Sequence, residues 1–502
     1  MARGKASAVW GARMHRPPSA RHVAYSAGWD VRERPMADAV LIPYDLWVNQ
    51  AHALMLRQTG IIERAVHRKI QRALAAIERD WRAGLWALDP RLEDVHICVE
   101  RAVAERAGDG AGGWLHTGRS RNDQSTTDVR LFVRDALLNF QGETLALAVE
   151  LIARAREHAE TLMAGLSHTQ PAGASTFGHV LCAHAQALAR DAEQMRATYR
   201  TVNVCPLGAA AGQGTSWPIN RAATARWLGF DGVQENTLDC VSSRGEMEAR
   251  VVADLAFAGS HMALLAQDLV FWSMPWIGFV TFDDRHVTGS SIMPQKRNPD
   301  FAEVTRAKLA VVQGVLQSLL ALSKGMVSGY NRDAQWSKYL VMEAVEELRE
   351  TPAILREALA AMTVHADRMA EATEHDFLVA VDLADLIARR AKLPFRKSYE
   401  IVAALVRDCE REGRFTVAKV ERALAAHGLA NKVGRREWLG AIQPAHAVRT
   451  KKSLGGPAPS AVRANLGRLE AAVRALKRWN AQRQEAVARA RRAMAEQIRK
   501  NP

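Results

Sequence analysis

Four long stretches with apolar residues at helical spacing occupy the middle of this 502-residue chain: Leu131 to Ala164, Phe177 to Arg200, Glu246 to Ser273 and Asn298 to Ser323. Ala, Leu, Arg and Glu dominate them, and no proline falls beyond a first turn, a composition that favours helix. Several outrun the ~10–14 residues of an average helix. Helices this long, apolar around much of their circumference, must bury several faces, in one large bundle or across subunit contacts. Alternating strand patterns are almost missing and βαβ spacing is not seen. The expected fold is therefore mainly α, and oligomeric. Punctuation by glycine and proline divides it into an N-terminal mainly helical domain (1–115), a central long-helix domain (116–370) and a small C-terminal domain of short helices (371–502).

The net charge of +14 raises the question of nucleic acid. The excess sits largely at the ends: Arg3, Lys5, Arg13, Arg16 and Arg21 in front, and Lys477, Arg478, Arg489, Arg491, Arg492, Arg499 and Lys500 behind. Aromatic residues among them are too sparse for a stacking platform, and no nucleic-acid motif accompanies them. Solvated ends are expected, with no nucleic-acid partner; a positive field also draws small anionic substrates. No run of about 18 uncharged apolar residues occurs, so no membrane span is expected. The five cysteines are scattered without a CxxC pair, which argues against a disulfide framework or zinc site and for a reducing, cytoplasmic setting.

Polar loops between the long helices carry the chemistry. Thr288-Gly289-Ser290-Ser291-Ile292-Met293-Pro294-Gln295-Lys296-Arg297-Asn298-Pro299-Asp300 feeds a helix start, with Asn298 as cap and Pro299 as first helical residue. Backbone N–H groups there, with Lys296 alongside, suit an anion. His116-Thr117-Gly118-Arg119-Ser120-Arg121-Asn122-Asp123-Gln124 is a second loop. Its arginines can grip a carboxylate, although ordinary helix caps look similar. Gly165-Leu166-Ser167-His168-Thr169-Gln170-Pro171 is the third, ahead of a long helix. A lone histidine is commonly structural, but hydroxyls and an amide beside it make an acid or base conceivable.

Together these loops resemble the three signature regions of the aspartase/fumarase superfamily, and within it the argininosuccinate lyase family. GSSIMPQKRNP matches the superfamily pattern GSSxMPxKxNP at every fixed position. HTGRSRNDQ is similar to HTARSRNDQ, and GLSHTQPA to the GYTHxQ region. Val9-Trp10-Gly11-Ala12-Arg13 resembles the opening LWGGRF, so the N-terminus is expected to be mature protein and not a targeting peptide. Glu93-Asp94-Val95-His96 resembles DEDVH, Cys205-Pro206-Leu207-Gly208 resembles NPLG, and Tyr330-Asn331-Arg332-Asp333 with Gln335 and Lys338 resembles YNRDxQxxK. Ala380 to Val402 and Gly455 to Pro459 look like the family's C-terminal part.

The resemblance implies a three-domain fold on a central helix bundle, a homotetramer whose active sites each gather loops from three subunits, and no metal or organic cofactor. It implies reversible elimination of an amine from an N-substituted aspartate, releasing fumarate. Ser290 would be the base and His168, or a group it orients, the acid. Ser120, Arg121, Asn122, Ser167, Gln170 and Asn298 would hold carboxylates, and Lys296 would stabilise the doubly charged intermediate. His96, Tyr330, Gln335 and Lys338 would face the amine part.

Four departures bear on the amine. Asn49 stands where the family usually has a carboxylate-binding serine. NSxDAVSDRDF becomes Asn236 to Glu246, with Ser243 and Gly245 at acidic positions. The acidic pair of YNRDLQEDK is Trp336 and Ser337, and Gln170 to Ala174 departs from QxAQP. These changes are expected to strip acids from around the leaving amine. Argininosuccinate is one candidate substrate; an aminopolycarboxylate, as for ethylenediamine-disuccinate (EDDS) lyase, is the other. A catalytically silent crystallin-like protein is a remote third.

Overall fold

The computed structural model describes residues 16, 19–22, 37–89 and 94–500. Arg3, Lys5, Arg13, Glu93 and the Val9–Arg13 segment lie outside the described residues. Three helices lead in: α1 (Ile42–Gln58), α2 (Arg64–Arg82) and α3 (Val95–Ala107). Asp94 caps α3 by accepting the Ile97 N–H. The bundle proper is built from α4 (Arg121–Glu157), α5 (Phe177–Val202), α6 (Glu246–Ser273) and α7 (Asp300–Leu322), followed by α8 (Ser337–Leu348) and α9 (Thr351–Ala361). The helix α4 packs against α5 and α9, while α6 packs against α5, α7 and α8. Apolar residues of these helices form one continuous core in which Phe177 stands edge-on to Trp272 at 5.2 Å. Two helices, α4 and α6, are long and apolar enough to cross a membrane, but more than half of each apolar window is buried inside the molecule. Their hydropathy serves the core.

A smaller cluster forms around α10 (Ala380–Ala391) and α11 (Phe395–Asp408), continuing through Trp438. The expected run of short helices after 371 fails at the end of the chain. Residues Pro459–Lys500 form α12, a single helix of 42 residues. It packs against α4 and α5, burying Val462, Leu466, Leu469, Val473 and Leu476 in the bundle core. The apolar stripe at helical spacing demands this, since an isolated helix so rich in arginine would leave it in water. The basic residues lie on the other face, where Arg483, Arg489 and Arg492 pair with Asp231 and Glu485.

Two further expectations need correction. The first long stretch does not run helical to Ala164: α4 ends at Glu157, and Leu162–Ser167 (β1) pairs antiparallel with Gln170–Thr176 (β2). The third loop is therefore the tip of a hairpin. Nor does Asn298 cap α7. Its backbone pairs with Thr288 in a bridge, and its side-chain amide donates to the Gly289 carbonyl at 3.3 Å. The loop it belongs to is a closed excursion from the bundle.

The hairpin is seated where α4 ends and α5 begins. Gly178 donates its N–H to the His158 carbonyl, and a Cβ there would meet the Ala155 carbonyl at 2.5 Å and Ala159 at 2.7 Å. A Gly178→Ala variant is expected to lose about 2 kcal/mol of stability through overpacking. Denaturant unfolding measures this; an unchanged midpoint would mean the junction is looser than its contacts.

Candidate active site

The cleft of interest lies among α3, the start of α4, the segment before α6 and residues 330–338. It has a volume of about 100 Å³ and is lined by Asp94, His96, Arg121, Asn122, Ser125, Arg244, Tyr330, Arg332, Gln335 and Lys338. Six of these, His96, Arg121, Asn122, Tyr330, Gln335 and Lys338, are residues singled out from the sequence. Segments as far apart as Asp94 and Lys338 converge here because α4 supplies one wall, and the polypeptide leading into α6 and α8 supplies the other.

Local geometry explains each wall. Ser120 caps α4 in a capping box: its Oγ accepts the Asn122 N–H at 3.3 Å, while its own N–H donates to Asp123 Oδ1 at 2.9 Å. Such reciprocal caps satisfy two helix-end donors at once. The second Asp123 oxygen accepts the N–H groups of Gly208 and Ala210, both at 2.8 Å. Burial raises the Asp123 carboxyl to about 6 against these donors. Arg121 donates to Asp94 Oδ2 at 3.2 Å. Arg244 is buried, donates to Ser125 Oγ at 3.1 Å and lies over the Tyr330 ring at 5.4 Å. The Tyr330 hydroxyl donates to Gln335 Oε1 at 3.1 Å, and Lys338 Nζ is 2.5 Å from Asp38 Oδ1.

His96 forms the floor and is fully buried with two carboxylates. Its Nδ1 is 2.9 Å from Asp45 Oδ1 and 3.2 Å from Asp128 Oδ2. One N–H cannot serve both equally, so the shorter contact, to Asp45, is the hydrogen bond. Burial alone would push the imidazolium down, but Asp128 and Asp45 raise it to about 10. Burial and the charge of Asp45 push Asp128 well up; burial opposes the ionised form of Asp45 too, but His96 and Arg119 hold it low. The state this favours is an Asp45 anion, a His96 cation and a neutral Asp128. Among the described residues these three also have metal-ligand spacing. Asp45, however, already accepts from Gln124 at 2.6 Å and Asn49 at 2.8 Å besides His96. Its lone pairs are taken, so the cluster fits a shared proton better than a cation.

The other sequence-derived residues lie elsewhere on this chain. Asn49 does not line the cleft: it is buried, bonded through its amide to Asp45 and through its carbonyl to Arg119 at 2.5 Å. Ser167, His168 and Gln170 are exposed at the hairpin tip, where His168 and Thr169 both take positive φ, 53° and 60°. Left-handed pairs of this kind normally go to Asn and Gly; for His and Thr the conformation costs of order 1–3 kcal/mol each. Ser290 and Lys296 stand on the projecting loop. Ser290 Oγ accepts two backbone N–H groups, Met293 at 3.0 Å and Ile292 at 3.3 Å. Neither His168 nor Ser290 lines the cleft.

The departures are placed differently from expectation. Ser243 is buried and bonded to Gln234 and the Asp239 carbonyl, Ser337 is buried against Glu248, and Trp336 is 61% exposed. None lines the cleft, so the lost acids fall behind its wall or outside it. Sequence reasoning missed Asp45, Asp128, Arg244 and Arg332. Asp45 and Asn49 share a helix face four residues apart, and Arg244 lies inside a segment already matched, so a signal existed for both.

A family model described as lyase matches residues 27–314, and one described as argininosuccinate lyase C-terminal matches residues 377–449. The argininosuccinate lyase of Bordetella pertussis is 41% identical over 91% of this chain and 94% of its own length. That of Chromobacterium violaceum is 39% identical, over 92% and 98%. Among solved structures, EDDS lyase in complex with formate superposes with a TM-score of 0.87 at 27% identity, covering 98% of this chain and 97% of its own. With its cleft, its helix bundle and these relatives in agreement, the chain belongs to the argininosuccinate lyase family of the aspartase/fumarase superfamily and is a carbon–nitrogen lyase.

Proposed function

We propose that the chain eliminates an amine from an N-substituted aspartate and releases fumarate, with argininosuccinate as the first substrate to test and an aminopolycarboxylate such as EDDS as the second. The observation that carries the reading is the convergence of six polar residues from three separate segments on one cationic cleft. In the reaction, the Ser290 oxyanion takes a proton from the succinyl Cβ. The released electron pair forms the double bond as the C–N bond breaks, and His168 delivers a proton to the departing nitrogen. A serine hydroxyl is far too weak a base when free, so its oxyanion must be held by donors; the Ile292 and Met293 N–H groups are suited to that. Lys296 and Asn298 meet the charge that develops on the neighbouring carboxylate. Ser120, Ser167 and Gln170 hold the dicarboxylate half. Arg121 and Asn122 also hold carboxylate, and they share one cleft with His96, Tyr330, Gln335 and Lys338, which face the leaving half.

On this reading the active site is shared within a homotetramer, which brings the hairpin tip and the Ser290 loop of other subunits over the cleft. Two observations support it. Neither segment lines the cleft of its own chain, and both bundle helices expose apolar residues: Phe257 (65%) and Leu264 (55%) on α6, Leu320 (60%) on α7. Exposed apolar rows on core helices mark subunit contacts. The elimination is redox-neutral and calls for no cofactor, and we place the enzyme in the cytoplasm.

Fumarate release followed by ultraviolet absorbance, from argininosuccinate and from EDDS in parallel, assigns the amine; turnover of neither would overturn both substrates. Ser290→Ala is expected to lose at least about a thousandfold in kcat, with an unchanged assembly by light scattering. Mixing it with His168→Asn should restore activity, because a mixed tetramer contains some sites with both native residues; no rescue would count against shared sites. The floor cluster gives a pH prediction. His96 has a folded pKa near 10, above the free imidazole value of about 6.5. Its stabilising effect is therefore full below about 6.5 and lost as pH rises through 10. The stability gap between wild type and His96→Gln should shrink across that window; a gap that widens would refute the charged assignment.

A further inference from the structure

Glu248 is a buried carboxylate that the elimination does not use, one turn into α6 and behind the cleft wall. Its Oε2 accepts the Gly245 N–H at 2.9 Å, and its Oε1 accepts the Ser337 hydroxyl at 3.0 Å. Those two partners belong to opposite sides. Gly245 follows Arg244, which reaches Ser125 on α4; Ser337 lies between Gln335 and Lys338. One carboxylate thus joins the segment that carries Arg244 to the segment that carries Tyr330, Gln335 and Lys338. Gly245 reaches this position with φ 93°, which side chains with a Cβ rarely adopt. An acid at 337 would set a second buried negative charge against Glu248, within hydrogen-bond distance, at a cost of several kcal/mol. Gly245 and Ser337, at two positions where the family pattern has acids, therefore suit a carboxylate supplied from 248.

We infer that Glu248 is a positioning residue for the leaving-group half of the site, coupled to Gly245 and Ser337 as one unit that replaces the acids missing from that wall. The inference rests on the lyase reading above. It acts through geometry: Ser337 Oγ has one proton and two acceptors in reach, Glu248 at 3.0 Å and the Ala334 carbonyl at 2.8 Å. A glutamine at 248 keeps the unit closed. Its carbonyl accepts from Gly245, its amide donates to Ser337 Oγ, and the serine proton turns to Ala334. An alanine opens both links.

The test is steady-state kinetics on the full-length enzyme, with whichever of argininosuccinate and EDDS it turns over, alongside thermal melting of each variant. Glu248→Ala should raise KM by about tenfold or more with a smaller change in kcat, because ground-state placement of the leaving half is lost. Glu248→Gln should recover most of that loss. Ser337→Asp should lower kcat/KM by about a hundredfold, and adding Glu248→Ala to it should restore about tenfold, since the repulsion disappears. The inference is overturned if Glu248→Ala stays within about threefold of wild type, if Glu248→Gln is as impaired as Glu248→Ala, or if the double variant is as poor as the singles combined. Where Ser337→Asp fails to melt cooperatively, Ser337→Ala replaces it, and its effect should vanish in the Glu248→Ala background. Full fumarate release with no coupling between 248 and 337 sinks this inference alone; no fumarate release from either substrate sinks the lyase reading and the inference with it.

Discussion

A carboxylate buried where three helices meet sets the geometry above it. Asp45 on α1 accepts from His96 on α3 and from Gln124 on α4, and Asn49 closes the remaining side from one turn along α1. An ionised carboxylate stripped of water is tolerated only when its lone pairs are met by donors. The three helices therefore cannot slide or rotate against one another without stranding a charge. That fixes where α4 begins, and with it Ser120, Arg121 and Asn122. It also fixes which way the His96 ring faces, since Nδ1 is committed below and only Nε2 remains toward the cleft. Among the described residues Nε2 has no partner, which is the condition of a buried donor prepared for a ligand.

The bundle was legible in the sequence because its signal is redundant: an apolar residue every third or fourth position over twenty or more residues admits few other readings. The hairpin was not. Ala164 continues the apolar pattern that ends at Ile152 and Ala155, and the break at 158–161 contains no proline or glycine. What ends α4 is tertiary, the His158 carbonyl being used by Gly178 from the next helix. The last helix was misread for the opposite reason. Glycine and proline up to Pro459 suggest short helices, whereas the sparse stripe from Val462 to Leu476 decides the packing.

The site divides the same way. The residues proposed to meet the substrate sit in loops with unusual composition, so Ser290, Lys296, His168, Arg121 and Tyr330 stand out. The buried acids around the cleft, Asp45, Asp128 and Glu248, sit inside helices where a single acid looks like surface. Only coordinates reveal that they are buried. Asn49 erred in the other direction: a polar residue at a matched position reads as a ligand contact, yet its amide and carbonyl are consumed by Asp45 and Arg119.

Burial also changes what the missing acids mean. Had Ser243, Gly245 and Ser337 faced the cleft, their lack of charge would act directly on a cationic leaving group. Behind the wall, they meet Gln234, Asp239 and Glu248 instead. Among the described residues the one carboxylate lining the cleft, Asp94, already caps α3 and accepts Arg121. A guanidinium or ammonium entering here finds no acid left to pair with, and Arg244 and Lys338 nearby would repel it. A leaving group that turns a carboxylate toward this wall meets Arg244, Lys338 and the His96 N–H instead. Arginine can do so with its amino-acid end, and so can an aminopolycarboxylate. On the proposed reading, the cleft therefore favours an amine that carries a carboxylate.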